Sequence, residues 1–219
     1  MRGWFAVLPA WAALLALSAC GQEGNDLHLN SQYLKSYADS NPTPADFSEC
    51  HGFGCSAIDA VDLSPQQWAR VRAQFKPPAK DARAERRQIS AALALMQSLV
   101  GAQTGTAVHQ WTRVNRKIGP NYGDLSQLDC IDEAVNTWTY LTMMDHDGLL
   151  RFHSAGPLSY GGTIFNLDMR NTAVIRDNTT GLYYAVDPTM VDETENPPIF
   201  PLTIWLGKWP PTIPAADKS

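Results

Sequence analysis

Charge is scarce in this chain of 219 residues, with Asp, Glu, Lys and Arg making up 18%. Basic residues are in deficit, 17 against 22 acidic ones, and no stripe of lysine and arginine appears, which excludes the electrostatic footprint of a nucleic-acid binder. Cysteine and histidine are few, at four and five. No apolar run reaches the about 20 residues a membrane-crossing helix needs, and no internal repeat is visible. Apolar side chains are plentiful instead, at 44% of the chain with seven tryptophans. Few charges and many aromatics suit a compact body and exclude disorder for most of the length.

The first twenty residues have the order of an export signal: a positive charge at Arg2, an apolar run from Trp4 to Leu17, then small residues before Cys20. The chain turns polar at once, with Gln22, Glu23, Asn25 and Asp26. The segment therefore reads as removed after export, not as spanning. Leu17-Ser18-Ala19-Cys20 resembles the lipobox of bacterial lipoproteins. That resemblance implies cleavage before Cys20 and acylation of its thiol, so that lipid joins the chain to a membrane. Acyl chains bury methylenes at about 0.8 kcal/mol each, which is why more than one is needed for durable anchoring. Gly21, and not aspartate, at the second mature position inclines the expectation toward the outer membrane.

Loss of residues 1–19 would leave 200 residues and reduce the basic count to 16, for a balance of -6. That length suits one domain on a tether. Residues 20–46, rich in Asn, Ser, Pro and Asp, read as the tether, and 47–219 as the domain. Cys50 and Cys55 are separated by a segment with two glycines, which lets the chain bend sharply enough to join them. An oxidising compartment favours a disulfide there over a metal site, because Cys50, His51 and Cys55 have no fourth ligand near in sequence. Cys130 is left over as a thiol, with pairing to Cys50 or Cys55 as the alternative. No metal and no cofactor is expected.

Along the domain, Ala57 to Leu63 alternates as a strand does. Ser64-Pro65-Gln66-Gln67 looks like a helix start leading to about Phe75. A second helix is expected from about Asp81 to Val100, with Ile89, Leu93, Met96 and Val100 as its inner stripe, Gly101 as its end and its arginines in solvent. Residues 105–127 read as a surface stretch. Asp129 can cap a third helix bearing Cys130 in its first turn and closed by Gly148. Leu149 to His153 reads as a strand, and 172–176 and 182–186 as two more joined by a turn at 177–181. Helices followed by consecutive antiparallel strands predict an α+β fold. The tail, 197–211, mixes prolines with Ile199, Phe200, Leu202 and Trp205 and reads as a strap on the core.

A cysteine opening a helix, a histidine on one strand and an acid on the next is how thiol enzymes activate a nucleophile. At Leu128-Asp129-Cys130-Ile131-Asp132-Glu133-Ala134, Gly148-Leu149-Leu150, Thr172-Ala173-Val174-Ile175 and Gly181 to Asp187, the chain resembles the transglutaminase-like, papain-related bacterial cysteine peptidases and exported relatives of that layout. The resemblance implies a transglutaminase-like core with Cys130 as nucleophile and Asp187 as orienting acid. It also implies a histidine near 170–172, where Arg170, Asn171 and Thr172 stand instead, none of which takes up a proton near neutrality. His153 is the candidate substitute base. Three functions follow as expectations: a catalytically silent domain that binds an envelope protein or peptide, a cysteine peptidase or acyl-transfer enzyme using Cys130, and a purely structural lipoprotein.

Overall fold

The computed structural model describes residues 36–108, 124–162, 169–191, 195–207 and 211–212. The signal segment, Cys20, His28 and His109 lie outside the described residues. The described part is α+β, as expected: helices packed against antiparallel sheets.

A hairpin of β1 (Phe47–His51) and β2 (Ala57–Val61) comes first, pairing Phe47 with Val61 and His51 with Ala57. It starts at the predicted residue, but the folded body begins earlier. Tyr37 and Ala38 pack on the main core, and the Leu63 amide donates to the Pro44 carbonyl. The last part of the expected tether is thus docked, because its aromatic ring and backbone find partners there.

Helix α1 (Pro65–Ala73) starts with both arms of a capping box: the Gln67 amide donates to Ser64 Oγ and the Ser64 amide to Gln67 Oε1. Helix α2 (Ala82–Thr104) is capped by Asp81, whose side chain accepts from the Ala84 amide. Its stripe of Ile89, Leu93, Met96 and Val100 is fully buried. The helix runs past Gly101, which the sequence marked as its end, and stops at Gly105, whose φ is +79°. A glycine in helical conformation costs about 1 kcal/mol relative to alanine, and the turn beyond it is tied down by Gln103, which donates to the Asp62 carbonyl at 2.9 Å. Arg83 and Arg87 are exposed as expected, while Arg86 lies over the Tyr184 ring at 4.1 Å.

Helix α3 (Cys130–His146) crosses the middle of the molecule with His146 its one exposed residue. Many of the polar groups it carries inside find partners there. The Asn136 carboxamide clasps Cys50 of β1, accepting from its amide and donating to its carbonyl, both at 2.8 Å. The Tyr140 hydroxyl donates to the Glu49 carboxylate at 2.6 Å.

The second sheet is centred on β5 (Arg170–Asp177). On one side lie β3 (His153–Ala155) and β4 (Ser159–Gly161), end to end; on the other come β6 (Tyr183–Val186) and then β7 (Ile199–Pro201), all antiparallel. The 177–181 turn forms as predicted, its Thr179 and Thr180 amides both donating to Asp177 Oδ1. The tail becomes part of the sheet, followed by the short helix α4 (Leu202–Trp205).

The expected strand over Leu149–His153 is corrected to β3, which starts only at His153. The amides of Arg151, Phe152 and His153 all donate to the Glu85 carboxylate of α2, at 2.8 to 2.9 Å. Donors turned toward one carboxylate are not arrayed along a strand. The two faces of the β5 sheet differ: Ala173, Ile175 and Val186 meet α3 in the main core, while Val174, Ala185 and Phe200 meet Leu202 and Trp205 in a smaller one.

Candidate functional site

Cys130 opens α3 where the sequence placed it, half-buried, at the end of the helix where backbone amides converge. Asp129 caps that end, accepting from the Ile131 and Asp132 amides, and Asp132 answers by accepting from the Asp129 amide. The strand facing this turn is β5, and the Asn171 side chain donates from Nδ2 to the Cys130 sulfur at 3.6 Å. Asn171 is therefore the residue of the 170–172 group that meets the thiol. A carboxamide donates to sulfur but cannot take its proton.

His153 is elsewhere. It pairs with Asp177, at the far end of β5 from Asn171. Six strand positions at ~3.3 Å each separate the two ends by about 20 Å. Its ring is fully buried, with Nδ1 at 3.0 Å from Glu85 Oε1 and the Tyr184 ring standing edge-on to it. Burial pushes the Glu85 carboxyl up, but the hydrogen bonds from His153, Arg151 and Phe152 and the nearby imidazole together hold it below its ordinary value. The pair is a clamp between α2 and the sheet.

Asp187 does not face the thiol either. Its Oδ1 accepts from the Thr189 amide and hydroxyl, and its Oδ2 accepts from Trp205 Nε1 at 2.7 Å. Trp205 packs on the sheet face opposite α3. The three residues expected to act together thus sit at three places: a helix start, one end of the sheet and the other face. Among the remaining described histidines, His51 Nδ1 lies 2.7 Å from the Leu125 carbonyl and its Nε2 3.2 Å from the exposed Asp59 carboxylate. His146 is in solvent at the opposite end of α3 from Cys130.

Cys50 and Cys55 form the expected disulfide, with Cα atoms 4.8 Å apart. The loop it closes is conformationally costly. Gly52, Phe53, Gly54 and Cys55 have φ of +81°, +65°, +68° and +54° in succession. For the two non-glycine residues the left-handed region costs roughly 1–2 kcal/mol each. Asp132 helps hold the loop, accepting from the Phe53 amide at 3.0 Å and the Cys55 amide at 2.6 Å.

Asp132 is the site residue whose place the sequence did not reveal. Its carboxylate and the two sulfurs all lie within 4.8 Å of one another, and all three residues are buried. Burial first, and the Asp129 charge second, raise its pKa to about 7 against the pull of its backbone donors. Near neutrality it is therefore partly protonated, which softens the acidity around Cys130. The sequence signal for it was the capping-box spacing from Asp129; its contact with a loop 77 to 79 residues away had none.

Comparison with protein-family models, with curated proteins and with solved structures finds no match to this chain.

Proposed function

We propose that this chain is an exported envelope lipoprotein, anchored through lipid on Cys20, whose body has a transglutaminase-like layout but binds an envelope protein or peptide without catalysis at Cys130. The observation that carries the reading is the Asn171 carboxamide against the Cys130 sulfur. A positioned base is worth typically 10²–10⁴-fold in such chemistry, and a helix terminus offers only about 0.3–1 kcal/mol toward the thiolate. Neither His153 nor Asp187 stands where it would activate Cys130. The signal and lipobox pattern supports export, and the contact of the Cys130 sulfur with a carboxamide supports a site without turnover.

Alkylation of the thiol by iodoacetamide across pH tests the catalytic part. Cys130 is expected to react with an ordinary thiol's profile, its midpoint at or above about 8.5. Cys130→Ser should abolish the labelling and His153→Ala should leave the midpoint where it was. Asn171→His should move the midpoint down by about one unit, since an imidazolium beside the sulfur favours thiolate. A wild-type midpoint at or below about 7 would overturn the silent reading in favour of a cysteine peptidase or acyl-transfer enzyme.

A further inference from the structure

We propose that the Cys50–Cys55 disulfide is a thiol–disulfide exchange centre for dithiols, in which Cys55 takes the attack and Asp132 gives a proton to the departing Cys50 sulfur. A bridge serving only stability needs no ionisable group beside it, yet here a carboxyl buried with both cysteines stands within 4.8 Å of the two sulfurs. It is bonded to the amide of Cys55 itself.

The two sulfurs are not equivalent. Cys50 is 1% exposed and Cys55 7%, and both sit in the main core. The loop's open side is at Gly54, next to Cys55, where an added Cβ would meet nothing within 4 Å. Cys55, the more exposed of the two and the neighbour of that open position, is therefore the sulfur offered to an incoming thiolate. Cys50 is held through its backbone by Asn136 and, at 1% exposure, would be released into the buried core. A thiolate left uncompensated there is strongly disfavoured, so the step needs a proton at that place.

Each bond is accounted for. The thiolate of the dithiol attacks Cys55 Sγ, a mixed disulfide forms, the Cys50–Cys55 bond breaks, and Asp132 in its carboxylic acid form protonates Cys50 as it leaves. The second thiol of the reductant, as thiolate, then attacks its own sulfur in the mixed disulfide. Cys55 leaves and is protonated from solvent, and Asp132 regains its proton from solvent. The dithiol has become a cyclic disulfide and the chain a dithiol. Reduction also releases the run of four left-handed residues from its covalent closure, which favours the forward direction.

Among the described residues, the charged group that acts on Asp132 is Asp129 on the same helix turn, whose charge holds Asp132 in its acid form to higher pH. Glu133, the next acid along, accepts from Gln97 of α2. From the loop, Asp132 meets backbone amides and the sulfurs.

The experiment is reduction of the oxidised full chain by dithiothreitol between pH 5.5 and 9 in a Cys130→Ser background, with rates divided by the concentration of reductant thiolate. With acid assistance, this normalised rate is level at low pH and falls about tenfold per unit above a break, because only the protonated carboxyl acts. The break is expected near 7. Asp132→Asn should show no break and run about 10²-fold slower at pH 6. Asp129→Asn keeps a good cap residue and should move the break to lower pH. A monothiol probe, glutathione quenched with acid, should be found on Cys55. A wild-type rate without a break, an Asp129→Asn break that does not move, or the adduct on Cys50 would each overturn the proposal. The first and second hold even if Asp132→Asn does not fold.

Discussion

Glu85 gathers the amides of three successive residues and the His153 imidazole onto one carboxylate that is 1% exposed. Removing it would leave four donors without their acceptor, two of them on the buried His153, so Glu85→Ala should lower unfolding free energy by about 2–4 kcal/mol in urea titration. A loss under about 1 kcal/mol would mean the donors find water instead. The acids also set opposed pH dependences. Glu85 and Asp177 are held below their ordinary values, so what they contribute is present above those values and lost as pH falls through the folded ones. Asp132 runs the other way, because its pKa rises on folding from 3.8 to about 7. Stability tied to it is full below the lower value and is lost as pH rises through the higher. The melting temperature of the wild type should therefore decline from pH 5 to 7.5, and Asp132→Asn should remove most of that decline. An unchanged slope in the variant would show that other groups titrate.

Secondary structure whose cause is local was legible, and structure whose cause is distant was not. Ser64 and Gln67 satisfy one another within one turn, and Asp129 caps α3 through its own neighbours, so spacing alone revealed both starts. The 177–181 turn is likewise organised by Asp177 from within. By contrast, the shortening of the 149–153 strand depends on Glu85, 66 to 68 residues earlier. The candidate site followed the same division. Cys130 at its helix start and the Cys50–Cys55 bridge were readable from spacing; the separation of His153 and Asp187 from the thiol depends on strand register and on which face each side chain takes. At α2, two glycines competed to end the helix, and the turn between them is held by Gln103 bonded to the distant Asp62 carbonyl. Gly105→Ala tests that element alone, since its added Cβ meets nothing within 4 Å and only the +79° φ opposes it. It should cost about 1 kcal/mol in chemical denaturation. No measurable cost would place the end of α2 outside the left-handed conformation.

For the whole molecule, Tyr37 and Ala38 are already docked on the core, so the described body begins before residue 46. Residues 20–35 reach at most about 55 Å when fully extended. A lipid-anchored body would then stay close to its membrane. Expressed in a bacterial host with labelled palmitate, the wild-type chain should carry label and sediment with membranes, while Cys20→Ala should lose both. Label retained by the variant would remove Cys20 as the acylated residue.

The β5 sheet bears on what happens when many copies are crowded together. Its outer margin on one side is two three-residue strands, β3 and β4, broken by Gly156 to Leu158; on the other it is β7, three residues ending in a proline and preceded by two more. Short, interrupted and proline-bearing margins present few aligned donors and acceptors to a neighbouring chain. Crowded copies therefore have little template along the β5 sheet for growing a shared sheet, which disfavours fibrillar aggregation.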